Sequence, residues 1–279
     1  GMKVKNDQWV NAGYQNWCEV QLANNQFSFK LNRPAQQKFN NFRDACDFNA
    51  KLLWQDWNHK PLYLGLSGGM DSECVATVLV RNCIPFTPLI LELENFNAWE
   101  VWYAKYWCWQ NKITPLVVRL DQDQIFEMYQ QHTSVLGQTA QHGCVTHTYM
   151  FDHVRSLGGH CLMSVGDLYM HDTEKYFYTN IIDYTANVFR NGEHPTAFFA
   201  YTPEIQLSYV LQFNTDLDWQ YNKCQFYDCV HRPKADYLPP LRYIGRLNTM
   251  MTMIQNKLPV MKPHIFGNKQ QTIDFLLGN

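Results

Sequence analysis

The residues of this sequence with the clearest chemical potential form the loop Ser67-Gly68-Gly69-Met70-Asp71-Ser72. An apolar run from Leu62 to Leu66 precedes the loop and predicts a strand, and the residues after it are typical of a helix. Glycines let the backbone approach an anion, and a helix N-terminus offers unpaired N–H groups and the positive end of the helix dipole. Ser67 and Ser72 add hydroxyl donors, while Asp71 either caps the helix or holds Mg²⁺ beside phosphates. The loop is therefore predicted to bind phosphate groups.

This loop is not the Gly-x-x-x-x-Gly-Lys-Ser/Thr loop, because no Lys follows its glycines. Its five fixed positions resemble the Ser-Gly-Gly-x-Asp-Ser signature of the PP-loop ATP pyrophosphatases, the adenine nucleotide α-hydrolase-like family. The resemblance covers residues 60–215. It implies that residues 67–72, Met70 included, bind the pyrophosphate part of ATP, and that the protein cleaves ATP to AMP and pyrophosphate. An ordinary Ser/Gly turn that caps a helix is the alternative.

The resemblance also assigns a second phosphate-facing segment, which follows the fourth apolar run of the chain. It implies that Gly166 lies near the reacting phosphate and that Asp167 helps Asp71 to hold Mg²⁺, with Asp172 as a reserve carboxylate. An ordinary Gly-Asp turn after a strand is the alternative.

An ATP site also needs a surface for the base and cationic groups for the phosphates. Family members present the end of the second strand to adenine, which here implies contacts, mainly through the backbone, from Leu91, Glu92 and Leu93. A pentavalent phosphorus transition state needs positive charge, for which the C-terminal cations Lys223 and Arg242 are the preferred catalytic candidates. Solvated surface charge is the alternative for each of these two residues.

The resemblance implies an AMP-forming ligase that adenylates a carboxyl or carbonyl oxygen of a small-molecule substrate. A nitrogen nucleophile, or a sulfur donor, then displaces AMP. The approach Lys60-Pro61-Leu62-Tyr63 and the helix before it are most similar to the asparagine synthetase synthase domain and its short phage and bacterial relatives. The N-terminal hairpin is too small for a glutaminase domain, so the nitrogen is expected as free ammonia, as an amine, or from a separate partner.

Two other functions fit the loop. A sulfonucleotide reductase has a similar loop but ends in a reactive cysteine motif, whereas this chain ends in Phe275-Leu276-Leu277-Gly278-Asn279. A nucleotide sensor without turnover needs the backbone cradle alone, so Asp71 and the two serines favour turnover.

The elements that position the loop follow a βαβ pattern from Pro61 onwards. Five apolar runs predict strands at 62–66, 87–93, 115–120, 161–165 and 197–201. Helical spacing predicts helices near 71–82, 97–111, 123–136, 145–157 and 203–213. The fold class is therefore α/β, a doubly wound, mainly parallel five-stranded sheet, Rossmann-like.

Three regions are expected along the chain. Residues 1–58 form an N-terminal extension, in which alternating residues 17–31 predict a hairpin that turns at Asn24-Asn25, followed by a helix from Pro34 to Trp57. Residues 59–214 form the nucleotide-binding domain. Residues 215–279, irregular with a helix near 241–255, complete the active site.

Composition excludes several classes of protein. A formal net charge of −2 and no run of Lys or Arg argue against a partner made of duplex nucleic acid. No apolar stretch approaches the ~18 residues that span a membrane. Nine scattered cysteines, an odd number, are typical of a reduced, cytoplasmic protein.

Two further groups of residues have alternative interpretations. A zinc site could form from His142, Cys144, His147, Cys224, Cys229 and His231, but none of these has Cys-x-x-Cys spacing, so loop or buried residues are favoured. A lone reactive Cys144 or Cys224 remains an alternative. The predicted helix at 97–111 carries a large aromatic face, which predicts core or a homo-oligomer interface rather than base stacking, since no basic groove accompanies it.

Overall fold

The computed structural model describes residues 8–136, 142–179, 195–227 and 262–279. Its strands are β1 (Val10–Ala12), β2 (Cys18–Ala23), β3 (Gln26–Leu31), β4 (Leu62–Gly65), β5 (Thr87–Leu93), β6 (Leu116–Leu120), β7 (His160–Met163), β8 (Tyr169–Met170), β9 (Phe177–Thr179), β10 (Thr196–Ala197) and β11 (His264–Gly267). Its α-helices are α1 (Phe42–Trp57), α2 (Met70–Arg81), α3 (Ala98–Gln110), α4 (Gln122–Leu136), α5 (His142–Ser156), α6 (Pro203–Gln212), α7 (Trp219–Phe226) and α8 (Lys269–Leu277).

The central sheet has five strands in the order β10-β7-β4-β5-β6, and every neighbouring pair is parallel. This confirms the predicted α/β fold with a parallel five-stranded sheet. The five predicted helices are present as α2 to α6. The fifth strand is shorter than predicted, because β10 ends at Ala197 and a 3₁₀ turn occupies Phe198–Ala200.

The strand order defines a switch point beside β4. The chain runs from β4 outwards to β5 and β6 on one side, and then returns to place β7 on the other side of β4. The loops that follow β4 and β7 therefore leave the sheet at the same edge and diverge. A crevice forms at such a point, and open α/β sheets bind ligands there.

The N-terminal sheet, β1-β2-β3, is antiparallel and confirms the predicted hairpin. Asn24 and Asn25 both have left-handed backbone angles, with φ of 52° and 59°, which a two-residue hairpin turn requires. The fully buried Trp17 donates its indole N–H to the carbonyl of Ala200 at 3.0 Å, so this sheet packs on the segment after β10.

The helix after the hairpin begins later than predicted. Asn41 is its N-cap and accepts a hydrogen bond from the N–H of Asp44, and α1 starts at Phe42. Pro34 was therefore wrong as a first helical turn. The N–H of Ala35 donates instead to the carbonyl of Leu276 at 2.8 Å, a long-range contact that takes this segment out of the helix.

The C-terminal residues return to the N-terminal sheet. β11 pairs with β9, and the rings of His264, Phe266 and Phe275 surround Phe29 of β3. The helix predicted near 241–255 lies outside the described residues, while α7 and α8 were missed. A continuous hydrophobic core joins residues from all three predicted regions, whose boundaries stay a prediction.

The lengths and hydropathies of the helices bear on membrane insertion. Within the described ranges, none of them combines the length and the apolar character that a bilayer-spanning helix needs.

Candidate functional site

The loop between β4 and α2 is held in shape by its two serines. The N–H of Ser67 donates to Oγ of Ser72 at 3.1 Å, and the N–H of Gly69 donates to Oγ of Ser67 at 3.1 Å. The two hydroxyl oxygens lie 3.1 Å apart. Gly69 is the N-cap of α2 and makes no side-chain cap, so the first N–H groups of α2 have no capping side chain at this position. The serines therefore stabilise the loop conformation. The backbone N–H groups at the start of α2 are left as hydrogen-bond donors for an anion.

Gly68 lets the loop pass close to α3. Its φ of 88° lies in the left-handed region, and a Cβ built at this position would overlap the carbonyl oxygen of Glu100. The same Cβ would lie 3.2 Å from the backbone nitrogen of Ala104. Both the backbone angle and the space thus require glycine here. The first turn of α3 consequently forms a fixed wall beside the loop.

Two carboxylates at the switch point share one buried ammonium group. Nζ of Lys223 lies 2.9 Å and 3.0 Å from the two carboxylate oxygens of Asp71 and 2.7 Å from Oδ2 of Asp167. Asp71 is the first acid of α2, Asp167 follows β7, and Lys223 belongs to α7. The side chain of Lys223 is fully buried, whereas that of Asp71 is 30% exposed. The Asp71 carboxylate is therefore partly accessible to solvent, whereas its counter-ion, the ammonium of Lys223, is not.

Aromatic side chains fix this network from the C-terminal side. The ammonium of Lys223 lies 3.3 Å from the centre of the Trp219 ring, and the hydroxyl of Tyr227 donates to Oδ1 of Asp71 at 2.8 Å. Burial raises the pKa of Asp167 to about 6; Asp71 adds to the rise, and Lys223 opposes it. Asp167 therefore depends on Lys223 to stay ionised near neutral pH.

A cavity of about 470 Å³ opens at this edge of the sheet. It is lined by Gly65, Leu66, Ser67, Asp71, Ser72, Leu91, Leu93, Asn97, Glu100, Thr146, His147, Met150, Met163, Ser164, Val165, Asp167 and Tyr169. The ends of β4, β5 and β7 form its floor, and α2, α3 and α5 form its walls. The lining combines apolar residues, mainly leucines and methionines, with the polar residues of the loop and the carboxylates. A small ligand that has both an apolar group and a charged group suits such a lining.

Several residues predicted from the sequence meet in this cavity. They are Ser67, Asp71 and Ser72 of the loop, Leu91 and Leu93 of β5, and Asp167. Lys223 joins them through its two carboxylate partners. Met70 is buried in the hydrophobic core.

Glu92 does not face the cavity. Oε2 of its carboxylate forms an ion pair with Arg119, 2.6 Å from Nε, and Oε1 lies 3.5 Å from Nζ of Lys105. Alternate side chains of a strand point to opposite faces, so Leu91 and Leu93 share the cavity side and Glu92 points away.

Gly166 has a packing role in this structure. Its φ of 93° is left-handed, and a Cβ here would lie 2.6 Å from Cβ of Ala200 and 3.2 Å from Cβ of Ala197. Glycine therefore lets the chain after β7 pass close to β10, while its neighbours Val165 and Asp167 line the cavity.

The structure does not show the remaining predicted site residues together in the cavity. Asp172 is exposed in the turn between β8 and β9 and is not among the residues that line the cavity. Arg242, Cys229, His231 and the side chains of His142 and Cys144 lie outside the described part of the chain. His147 lines the cavity, whereas Cys224 is half-buried on α7. The side chains that the structure describes contain no group of three or more metal-binding residues.

Sequence reasoning missed several cavity residues, among them two with polar groups that face no partner in the described part of the chain, Glu100 and Ser164. Glu100, in the first turn of α3, lines the cavity, and burial raises its pKa to about 7. Oγ of Ser164, after β7, is buried and has no hydrogen-bond partner among the described residues. An acid in a first helical turn has an ordinary explanation in the helix dipole, so no sequence pattern indicated that Glu100 faces a cavity.

The aromatic face of α3 is largely exposed. Trp102 and Trp109 are 59% and 75% exposed, and Tyr106 stacks between them, while Trp107 is buried. The expectation of core packing was therefore wrong for these three exposed rings, and a homo-oligomer interface stays a prediction.

Comparisons with known proteins gave structural likenesses alone. No protein-family model and no curated protein sequence matches this chain. The NMN synthetase from Francisella tularensis is 12% identical over 86% of this chain and 94% of its own, with a TM-score of 0.40. The NH3-dependent NAD synthetase from Campylobacter jejuni subsp. jejuni NCTC 11168, in complex with the nitrate ion, is 13% identical over 78% and 91%, with a TM-score of 0.36. The NAD+ synthetase from Burkholderia pseudomallei is 13% identical over 86% and 83%, with a TM-score of 0.40. At these scores, any assignment of function must come from the geometry of the site itself.

Proposed function

We propose that this protein binds ATP at the switch point and cleaves it between the α and β phosphates, adenylating an oxygen of a small-molecule substrate. The observation that carries this proposal is the convergence of Asp71, Asp167 and Lys223 beside the glycine loop, at the edge where β4 and β7 diverge. A turn that caps a helix has no need of a buried lysine or a second carboxylate.

The polar and the apolar lining residues of the cavity match the two ends of ATP. The N–H groups at the start of α2 and the positive end of its dipole favour the phosphates. Leu91 and Leu93, with Met150 and Met163 nearby, supply an apolar surface for adenine. A cavity of about 470 Å³ is within the range of ~300–1,000 Å³ that small-molecule sites occupy.

The donor set at the loop also fits Mg²⁺. Asp71 and Asp167 already bracket one positive charge, the ammonium of Lys223, and carboxylate oxygens are the ligands that Mg²⁺ takes together with phosphate oxygens. These two residues would hold the ion, whereas Asp172 is exposed and does not line the cavity. Mg²⁺ would supply neutralisation of phosphate charge when bound.

Among the described residues, Lys223 is the cation that contacts both Asp71 and Asp167. Its ammonium lies within hydrogen-bond distance of both carboxylates, and its burial keeps water away from it. Positive charge in such a water-poor position stabilises developing negative charge more strongly than it does in water. Because Lys223 does not line the cavity, we assign it to holding Asp71 and Asp167 in place, where its charge offsets theirs while the pyrophosphate leaves.

The proposed reaction has two steps. A carboxyl or carbonyl oxygen of the substrate forms a bond to the α phosphorus, and the bond from that phosphorus to the bridging oxygen breaks and releases pyrophosphate. A nitrogen nucleophile then forms a bond to the activated carbon, loses a proton, and AMP departs with the oxygen. The asparagine synthase-like character of this chemistry is our inference from residues 60–72, and a cytoplasmic location is proposed from the free cysteines of the described chain.

Titration calorimetry with ATP, with and without Mg²⁺, tests the binding, and release of pyrophosphate against phosphate tests the chemistry. The panel of acceptors comprises carboxylates, each offered with ammonia or an amine. We expect AMP and pyrophosphate in equal amounts with one acceptor class. Binding without release would indicate a nucleotide sensor, and release of phosphate alone would contradict cleavage at the α phosphorus.

A matched pair of variants isolates the loop carboxylate. Asp71→Asn keeps the shape of the side chain but removes the charge that Lys223 and Mg²⁺ need, so we expect pyrophosphate release to fall by at least ~100-fold. Asp172→Asn makes the same change at an exposed residue outside the cavity and should retain full activity. Equal activity of the two variants would contradict the role of Asp71.

A further inference from the structure

Glu100 lines the cavity on α3, a helix that contacts both the end of β5 and the glycine loop. Its helix, α3, is tied to the end of β5 by Asn97, whose side chain donates to the carbonyl of Leu91 and accepts from the N–H of Leu93, both at 2.7 Å. The carbonyl of Glu100 itself lies against Gly68 of the loop. The backbone of Glu100 is thus fixed relative to both the end of β5 and the glycine loop.

The other acids near this position are engaged elsewhere. Glu92 is paired with Arg119 on the opposite face of β5, and Glu94 is exposed and accepts from the N–H of Gln122 at 3.1 Å. Asp71 and Asp167 share Lys223. Within the described ranges, Glu100 has neither an ion pair nor a hydrogen bond through its carboxyl group, although it lines the cavity. A carboxyl placed in this way suits a ligand that brings its own donors.

We infer that Glu100 accepts hydrogen bonds from the ribose hydroxyl groups of the bound nucleotide and selects ribonucleotides over deoxyribonucleotides. The inference rests on the proposed function, which places adenine at Leu91 and Leu93 and the phosphates at the loop. The ribose joins these two groups, so it lies where Glu100 is held. Hydroxyl groups complement a carboxylate, whereas a phosphate beside it would be repelled. In dinucleotide-binding Rossmann folds an acid after the second strand plays this part, and here the strand's own acids are occupied.

Affinities for ATP and 2′-deoxyATP, measured by titration calorimetry, test the inference. We expect the unmodified protein to bind ATP at least ~10-fold more tightly, because a hydrogen bond to a charged group discriminates by roughly this factor or more. Glu100→Ala should bind the two nucleotides with equal affinity. Glu100→Gln, which keeps the shape and an acceptor oxygen, should retain part of the preference. Glu94→Ala is the control and should leave the ratio unchanged, since that carboxylate is outside the cavity.

The ratio of the two affinities should also depend on pH. Burial raises the pKa of Glu100 to about 7, so its accepting, ionised form grows as the pH rises from 6 to 8. Asp71, Asp167 and His147 also face the cavity, but they act on ATP and 2′-deoxyATP alike and cancel in the ratio. We therefore expect the preference for ATP to increase with pH in the unmodified protein and to stay constant in Glu100→Gln.

The outcomes separate this inference from the proposed function. If the unmodified protein binds ATP but binds 2′-deoxyATP equally well, the ribose assignment is wrong and the ATP site stands. If Glu100→Ala and Glu100→Gln both keep the full preference, another group recognises the ribose. If the unmodified protein binds neither nucleotide, the proposed function fails and the ribose assignment fails with it.

Discussion

The ammonium of Lys223 bridges both carboxylate oxygens of Asp71, at 2.9 Å and 3.0 Å, although the two residues are 152 positions apart. Asp71 begins α2 directly after the glycine loop, whereas Lys223 belongs to α7, beyond the last strand of the sheet. The candidate site is therefore assembled from the central sheet and a helix of the C-terminal region. The contribution of these contacts to the free energy of unfolding can therefore be measured without an activity assay.

Lys223→Met should destabilise the protein by roughly 3–5 kcal/mol at pH 7, because removing one member of a buried ion pair leaves the other charge without compensation. Asp167 is 4% exposed, and Lys223 is its cationic partner in the described structure. The methionine keeps most of the aliphatic stem of the side chain but removes the ammonium, and with it the cation–π contact with Trp219. Urea denaturation at constant ionic strength measures the loss.

The double variant Lys223→Met with Asp167→Asn is the test of mechanism. It removes the stranded charge, so it should be more stable than Lys223→Met alone. Losses that simply add would mean that Lys223 stabilises the fold through packing rather than through Asp167.

The loop and the sheet could be predicted because local rules govern them. Two glycines between a strand and a helix indicate the loop between β4 and α2, and short apolar runs indicate the parallel strands. The orientation of the Glu92 side chain could also have been predicted from the sequence. Strict alternation along β5 places Leu91 and Leu93 on one face and Glu92 on the other, and applying that rule would have removed Glu92 from the candidates.

Long-range contacts account for what the sequence did not reveal. The start of α1 depends on the hydrogen bond from Ala35 to Leu276, two residues that no local pattern connects. The position of Glu100 in the cavity was likewise not predictable from local patterns. The rotation of α3 about its axis depends on its contacts with Gly68 and on the hydrogen bonds of Asn97. In the sequence, Lys223 is one of several C-terminal cations, and its contact with the two carboxylates depends on where α7 packs in the fold.

Gly68→Ala should cost more stability than Gly158→Ala, although both glycines have left-handed backbone angles, with φ of 88° and 73°. At Gly158 nothing lies within 4 Å of the added carbon, so the cost is conformational strain of about 1 kcal/mol. At Gly68 the same carbon meets the carbonyl of Glu100, so strain and overlap add, and we expect about 2–4 kcal/mol. Thermal denaturation compares the two variants.

Ligand binding gives a second readout of the same pair. Gly68→Ala should also lose ATP affinity, since the loop must move away from α3, whereas Gly158→Ala should bind ATP normally. Equal stabilities and equal affinities would show that the contact between the loop and α3 is loose in solution.

The free energy of unfolding should decrease as the pH falls from about 6.5 to about 4, because His264 takes up a proton more readily in the unfolded chain than in the folded protein. Nδ1 of His264 accepts from the N–H of Phe29 at 3.2 Å, and burial lowers the pKa of His264 from 6.5 to about 4. In this interval the unfolded chain binds a proton at His264 and the folded protein does not, so acid favours unfolding. The stabilisation is fully present above pH 6.5, and the difference in pKa corresponds to roughly 3 kcal/mol.

Urea denaturation at several pH values between 7.5 and 4 checks this expectation, with His264→Gln as the variant. Glutamine has an acceptor oxygen but does not titrate, so the variant should lose stability less steeply with falling pH than the unmodified protein. Carboxylates that titrate in the same interval contribute to both proteins and cancel in the difference. His59→Gln, at an exposed residue, is the matched control and should follow the unmodified protein. Parallel curves for His264→Gln and the unmodified protein would mean that the imidazole accepts its proton in the folded state, and the contact with Phe29 would then contribute little to the joining of β3 and β11.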